Sequence, residues 1–264
     1  MTSATGSLIL AILCVFPAAV QADIIVSTNL NLTGLEISPS SGTLQVLSPL
    51  TASAFAQAQD SLGGLDQQFN SVDDGTTTAS ALTFLASANG AASAAVLDAN
   101  ASSNVNISGI AAAASSVGRG SLRGSFEIVG ATAPVSVRFT AMLQTDQSLS
   151  TLALGQSATS EVIFNFNLPD LLNQPLLFFD NPLQIGPSDS LSNTASPTLT
   201  ASVVLQPNTP YSFITEVDAE SSGLNTVPEP SSLLLLLTVL VPCAFWLGRG
   251  DWLHRVHPAR RDSA

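Results

Sequence analysis

The sequence predicts an all-β protein: a single antiparallel β-sandwich, jelly-roll-like, between an N-terminal signal peptide and one C-terminal transmembrane helix. The first observation is alternation of apolar and polar residues, as in PVSVRFTAM at 134–142, which predicts strands that bury one face. The second is that Gly, Pro, Asn and Asp separate these segments at short intervals, as is typical of sandwiches with many short strands.

Residues 1–22 are the predicted signal peptide. Ser7 to Val20 form an apolar core of the usual length for such peptides, too short to favour a membrane span. Val20 and Ala22 stand three and one positions before a predicted cleavage site between Ala22 and Asp23. Its expected partners are the Sec machinery and signal peptidase. A buried N-terminal core helix is the alternative interpretation.

The body, residues 23–219, is predicted to form the sandwich. Strands are expected at 30–37, 43–47, 126–129, 135–141, 161–168, 176–179, 199–205 and 211–220, with another through 105–107. One helix is predicted at 50–62, in LTASAFAQAQDSL before two glycines. Asn89-Gly90 lies between two alternating runs and is predicted to be a hairpin turn.

The body lacks most residue types on which catalytic sites depend. Residues 23–226 contain no His, Cys, Lys or Trp. This excludes Ser-His-Asp and Cys-His catalysis, Schiff-base lysines, and imidazole or thiolate metal sites. The same range has sixteen Asp and Glu against three Arg, so nucleic acid is not an expected partner. We therefore predict no enzymatic activity, no cofactor and no metal.

Carboxylates are the remaining candidates for a site. The Asp-Asp-Gly sequence at 73–75 and the row Glu216, Asp218 and Glu220 could ligate Ca²⁺, which prefers oxygen donors. The alternatives are a turn for the first and a solvated strand face for the second. A surface-binding module for polysaccharide or Ca²⁺ is thus one alternative function, and a hydrolase with two carboxylates facing one cleft is another.

The C-terminal part has the pattern of a membrane anchor. Residues 220–226, ESSGLNT, are predicted to be a flexible linker. The uncharged stretch 231–248 is long enough for one transmembrane helix. The tail, 249–264, is expected to stay in the cytoplasm, because positive residues favour that side. The basic residues that follow the span are Arg249, Arg255, Arg260 and Arg261.

The four residues before this span carry a family resemblance. They are Val227, Pro228, Glu229 and Pro230. With the span and tail at 227–264, they resemble the PEP-CTERM sorting signal of exported bacterial proteins; the resemblance covers none of the body. It implies recognition and processing by an integral-membrane exosortase, then a cell-surface or extracellular location. The prolines are expected to keep the motif extended, as a cleaving enzyme requires. An uncleaved single-pass membrane protein is the alternative.

Overall fold

The computed structural model describes residues 23–226, and their regular secondary structure consists of strands. The strands are β1 (Asp23–Pro39), β2 (Thr43–Asp60), β3 (Leu65–Asp73), β4 (Thr76–Leu82), β5 (Ala86–Ser93), β6 (Asp98–Ser108), β7 (Ala112–Val129), β8 (Val135–Thr151), β9 (Gln156–Asn167), β10 (Leu177–Ile185), β11 (Ser190–Ala195), β12 (Thr198–Leu205) and β13 (Tyr211–Asn225). The strand segments given above by residue range fall on or overlap these strands. The two alternating runs around Asn89-Gly90 do not, because Leu82 to Ala88 spans the turn between β4 and β5, and Ala94 to Val96 lies in the turn before β6. Many strands are longer than predicted, because Ala, Ser and Gly extend them beyond their large apolar residues.

These strands form two antiparallel sheets. Sheet A has the order β11-β8-β1-β6-β5-β4, and β12 also pairs with β8, beyond the end of β11. Sheet B has the order β10-β9-β13-β7-β2-β3. The inward side chains of both sheets share a core. The prediction of an antiparallel all-β sandwich is therefore confirmed for residues 23–226.

One part of the interior is filled by aromatic rings. Five phenylalanines are the largest side chains there, each at most 2% exposed: Phe126, Phe139, Phe164, Phe166 and Phe213. The Phe139 and Phe166 rings lie 5.2 Å apart between centroids, in contact across the two sheets. Each ring points inward because alternation places every second residue of a strand on the same face. The predicted inward face of the strands at 135–141 and 161–168 is thereby confirmed.

Another part of the interior is filled by alanine, and there the sheets approach until their backbones touch. A Cβ atom placed on Gly90 of β5 would lie 2.0 Å from the carbonyl oxygen of Arg119 on β7. A Cβ on Gly118 of β7 would lie 2.2 Å from the oxygen of Asn89 on β5. No side chain fits at such distances, so glycine is required at both positions.

A chain of polar side chains links the sheets through the interior. Thr28 Oγ1 of β1 shares hydrogen bonds of 2.7 Å with Ser160 of β9 and Ser221 of β13. Gln147 Nε2 of β8 donates to Ser160 Oγ at 3.0 Å, and Ser221 Oγ donates to the carbonyl oxygen of Ser103 at 3.1 Å. These buried groups are paired with one another, which offsets the penalty for removing them from water.

The predicted helix at 50–62 is wrong: this segment belongs to β2. Ala52, Ala54, Ala56 and Ala58 point into the core, while the residues between them face outward. The alternation has a period of two, and pairing with β7 on one side and β3 on the other fixes it as a strand. Tertiary packing has overridden the helical preference of alanine.

Two further predictions are corrected by the strand boundaries. Asn89-Gly90 lies in the middle of β5 instead of in a turn, because Gly90 provides the space for the facing strand. The segment 220–226 is no flexible linker, because β13 continues through Asn225 and pairs with β7 and β9 along that length. The sandwich therefore continues to Asn225 instead of ending at residue 219.

Candidate functional site

The outer face of sheet B contains an acidic patch around one arginine. The patch lies where β9, β13 and β7 run side by side, because antiparallel register places Asp218 opposite Arg119 on one side and Ile163 on the other. Arg119 Nε is 2.5 Å from Asp218 Oδ1 and 2.7 Å from Glu216 Oε1. One guanidinium thus bridges two carboxylates that lie two residues apart on β13.

Asp218 is the most perturbed of these groups. Burial raises the pKa of this carboxyl from 3.8 to about 6, although Arg119 acts in the opposite direction; the charges of Glu216 and Glu220 raise it further. Burial acts to lower the pKa of Arg119, but Asp218 and the other carboxylates raise it overall. The desolvation of Asp218 therefore outweighs its ion pair.

A second carboxylate on this face has no such counterion among residues 23–226. Glu161 of β9 lies directly opposite Glu220 of β13. Its pKa is raised by partial burial and by the nearby charges of Asp180 and Glu220. Like charges opposite each other on neighbouring strands destabilise a sheet, so this pair favours a proton or a hydrogen-bond donor between its members.

A groove of about 480 Å³ runs beside this pair. Its lining comes from β7, β9, β10 and β13 and includes the polar residues Thr159, Glu161, Gln184 and Glu220 beside the apolar residues Val117, Pro182 and Leu183. The hydroxyl and amide groups both donate and accept hydrogen bonds, whereas ionised carboxylates only accept them. The volume lies within the range of small-molecule sites in proteins. The groove can therefore hold a polar, hydroxyl-bearing ligand.

We predict that residues 23–226 become less stable as the pH rises from 4 to 7. Because Asp218 has a higher pKa in the folded state, the folded chain binds more protons than the unfolded chain in this window, and stability falls as pH rises. The loss expected from Asp218 is about 2–3 kcal/mol in the free energy of unfolding, and Glu161 acts in the same direction. Asp60 and Asp170, whose pKa values are lowered by backbone hydrogen bonds, act in the opposite direction, chiefly at the acidic end of this window. Urea unfolding at each pH measures this change. A variant with Asp218→Asn should show a flatter profile; an equally steep profile in that variant would contradict the assignment.

The predicted row Glu216, Asp218 and Glu220 does lie together on the outer side of β13. The expectation of a solvated face is wrong for Asp218, which is only 5% exposed beneath Arg119. Within residues 23–226, no group of three or more His, Cys, Asp or Glu side chains is arranged to hold a metal ion.

The Asp-Asp-Gly sequence at 73–75 forms the turn between β3 and β4, in agreement with the turn interpretation. Asp74 adopts a positive φ of 51°, and its Oδ1 accepts a hydrogen bond of 2.8 Å from the backbone nitrogen of Leu50. Asp73 Oδ1 accepts one of 2.7 Å from Thr51 Oγ1. Each of these carboxylates thus has a hydrogen-bonding role in the fold.

Sequence reasoning missed Arg119, Glu161 and Asp180 as members of the patch. Each lies on a different strand from the predicted row: β7, β9 and β10. One signal for Arg119 was present, since it is one of three arginines in the body and stands between two glycines of an alternating segment. The neighbours of β13 in the sheet were not readable from alternation.

The remaining predicted functional residues lie outside the described residues. They are Ala22 on the signal-peptide side of the cleavage site, the motif Val227, Pro228, Glu229 and Pro230, the span at 231–248, and the basic residues Arg249, Arg255, Arg260 and Arg261. Asp23, on the other side of the cleavage site, is the first residue of β1. The described part of the chain contains no helix suited to crossing a membrane.

Comparisons with known proteins provide little information about this chain. No family model and no curated protein matches it. One solved structure that matches is vicilin from Corylus avellana (hazelnut), at 7% sequence identity and a TM-score of 0.12, covering 77% of this chain and 74% of the vicilin chain. A TM-score this low carries no argument, so the functional proposal depends on the residues of this chain.

Proposed function

We propose that this protein is a non-enzymatic, exported protein of the cell envelope or extracellular matrix. A signal peptide at 1–22 directs it through the Sec machinery, and a PEP-CTERM signal at 227–264 presents it to an exosortase. The motif supports this proposal by its position directly before an uncharged stretch and an arginine-bearing tail. The helix at 231–248 would hold the protein in the inner membrane until processing moves it to the cell surface or medium.

The observation that carries the proposal is where the sandwich ends. β13 runs to Asn225 and Thr226 leaves the strand, so the folded body ends directly before the proposed sorting motif at 227–230. Ile24 is fully buried and already pairs with Ile107 and Thr151. Among the described residues the strand pairing thus reaches from Asp23 to Asn225. This supports a body that folds as one unit between the two proposed processing sites.

Two finer features belong to the same proposal. The absence of His, Cys, Lys and Trp from 23–226 supports a body without catalysis. The connections support a jelly-roll-like arrangement, because the chain crosses repeatedly between the sheets, for example from β1 to β2, from β6 to β7 and from β12 to β13.

Replacing Glu229 with alanine should retain the full-length chain in the membrane. In this proposal a buried arginine of the exosortase binds Glu229 and would lose a charge-assisted hydrogen bond worth about 1.5–3 kcal/mol. We therefore expect at least about a tenfold drop in processed protein. Cell fractionation and immunoblotting measure the ratio of membrane-bound to released protein. Asp251→Ala, which removes the same charge beyond the span, is the matched control. Equal release of both variants would mean that the motif is not read.

The groove on sheet B favours a second candidate, the binding of an uncharged polysaccharide. Its hydroxyl, amide and carboxylate groups suit sugar hydroxyls, and its negative charge disfavours anionic polymers. The Ca²⁺ alternative lacks a comparable cluster of ligands within 23–226.

A glycan array tests this second candidate. The double variant Glu161→Gln and Glu220→Gln should weaken binding of a neutral glycan about tenfold or more, since it removes two charge-assisted hydrogen bonds. The control is Glu36→Gln with Glu127→Gln, which removes the same charge from other strands, β1 and β7. An array with no bound glycan would exclude this candidate and leave the sorting proposal intact.

A further inference from the structure

The two sheets of residues 23–226 have four lateral edges, and these edges differ in their protection. Sheet B ends at β3 and β10, while sheet A ends at β4 and at the pair β11 and β12. An edge strand exposes backbone hydrogen-bonding groups that can pair with another chain. Proteins usually block this pairing with charges, prolines, short strands or covering segments.

The β4 edge is occupied by side chains of β3, which lies against it. The backbone nitrogen of Ser80 on β4 donates to Gln68 Oε1 of β3 at 2.7 Å. That of Leu82 donates to Asp66 Oδ2 at 2.9 Å. Side chains of one sheet thereby occupy the outward backbone groups of the other, so a further strand cannot add there without displacing them.

The β10 edge is blocked by its own residues. Asp180 places an exposed charge on the strand, and Pro182 removes one backbone donor from its middle. β11 is only six residues long and is followed by Pro197 before β12 begins. Both features are typical protections of sheet edges.

Among residues 23–226, β12 has none of these protections. It runs for eight residues, Thr198–Leu205, and within 23–226 it pairs only with β8. Residues 190–215 contain no charged residue, although the chain as a whole carries a formal charge of −12. Val204, an apolar side chain on the outward face of β12, is 65% exposed.

We propose that β12 is a self-association edge, at which a second copy of this chain adds its own β12 in antiparallel pairing. Charge favours this occupant, because two copies of an acidic protein can approach where neither carries charge. The exposed residues Thr198, Thr200, Ser202 and Val204 would form cross-strand pairs with their counterparts. The backbone groups of both edges would then be satisfied by each other.

The remaining edges predict that this association closes at two copies. A filament requires each chain to offer a second, different edge to its neighbour. The β4 edge is occupied, β3 lies against β4, and β10 contains Pro182. Pairing of β12 with β12 uses the same edge on both chains, which gives a symmetric dimer with sheet A continuous across it.

The first experiment places a single cysteine on the edge of the full-length chain, with Cys14 and Cys243 replaced by serine. Thr200→Cys and Ser202→Cys are each treated with a short thiol cross-linker in detergent solution. A covalent, dimer-sized band should form at both positions, whereas Ser80→Cys on β4 should give only a monomer-sized band, because β4 lies away from the paired edge. Only monomer-sized bands at both β12 positions, or equal cross-linking at Ser80, would overturn the proposal. A ladder of larger species overturns the closed dimer.

The second experiment adds charge to the edge and measures molar mass by light scattering. The full-length double variant Thr200→Lys and Val204→Lys should be monomeric, since lysines on an edge strand oppose pairing. Gln67→Lys with Ser71→Lys on the outer face of β3 adds the same charge and should remain dimeric. All four positions are exposed, so folding should be retained, as near-ultraviolet circular dichroism can check. A dimer in both double variants would contradict the assignment of β12.

Discussion

Replacement of Gly118 with alanine is expected to lower the free energy of unfolding by at least about 3 kcal/mol. The new Cβ would lie 2.2 Å from the carbonyl oxygen of Asn89 and 2.4 Å from that of Ser102. Both atoms belong to the backbone of the facing sheet, so no side-chain rotation relieves the contact. The sheets would have to separate there and lose packing among the surrounding alanines. Urea unfolding followed by circular dichroism measures the loss.

Gly186→Ala is the matched control for this prediction. Gly186 has no atom within 4 Å of the position where its Cβ would be, so the same substitution should change stability little. Equal stability of the two variants would contradict the close approach of β5 and β7. Loss of stability in the Gly118 variant alone would support it.

Replacement of Arg119 with methionine should destabilise the body by about 2 kcal/mol at pH 7.5, and by less at pH 5. The buried carboxylate of Asp218 would lose its only ion-pair partner among residues 23–226, as would Glu216. Removing one partner of a fully buried pair costs about 3–5 kcal/mol. The smaller figure applies because the Arg119 side chain is 43% exposed and partly screened by water. The penalty should shrink at pH 5, where the carboxyl with a pKa of about 6 is largely protonated.

The double variant Arg119→Met with Asp218→Asn provides the control. Without the charge of Asp218, most of the stability lost in the single variant should return. Urea unfolding of the wild type, both single variants and the double variant at the two pH values gives the four free energies of unfolding that a double-mutant cycle requires. An equal loss at pH 5 and 7.5, with no recovery in the double variant, would show that Arg119 acts through packing alone.

The strands were predictable because alternation is a local property of the sequence. Phe164 and Phe166 point inward and Asn165 outward whichever strands lie beside β9, since successive side chains leave opposite faces. Burying one face of each segment was enough to predict an antiparallel sandwich.

The alanine-rich segments were harder to predict, because packing against the facing sheet determines whether such small residues form a strand, a helix or a turn. Ala52 to Ala58 has a helical propensity but packs as part of a strand. Asn89-Gly90 has the composition of a turn, yet Gly90 is needed where the backbone of Arg119 approaches. Both errors arise from contacts between residues far apart in the chain.

The candidate site was predictable only in part for the same reason. Glu216, Asp218 and Glu220 share a face because they alternate on one strand, and this was visible in the sequence. Arg119 and Glu161 join them through the strand order β9-β13-β7, which connects distant segments. The alternating pattern determines which side chains share a face of a strand, but it does not determine which strands lie beside it in the sheet.

The masses of the mature protein recovered from its own cells test the sorting proposal most directly. Mass spectrometry should find Asp23 at the N-terminus of protein recovered from wild-type cells, and no peptide that runs from Pro230 into the leucine stretch. A strain without the exosortase should yield such peptides. Recovery of peptides spanning Pro230 and the leucine stretch in both strains alike would contradict processing, and would favour an uncleaved single-pass membrane protein.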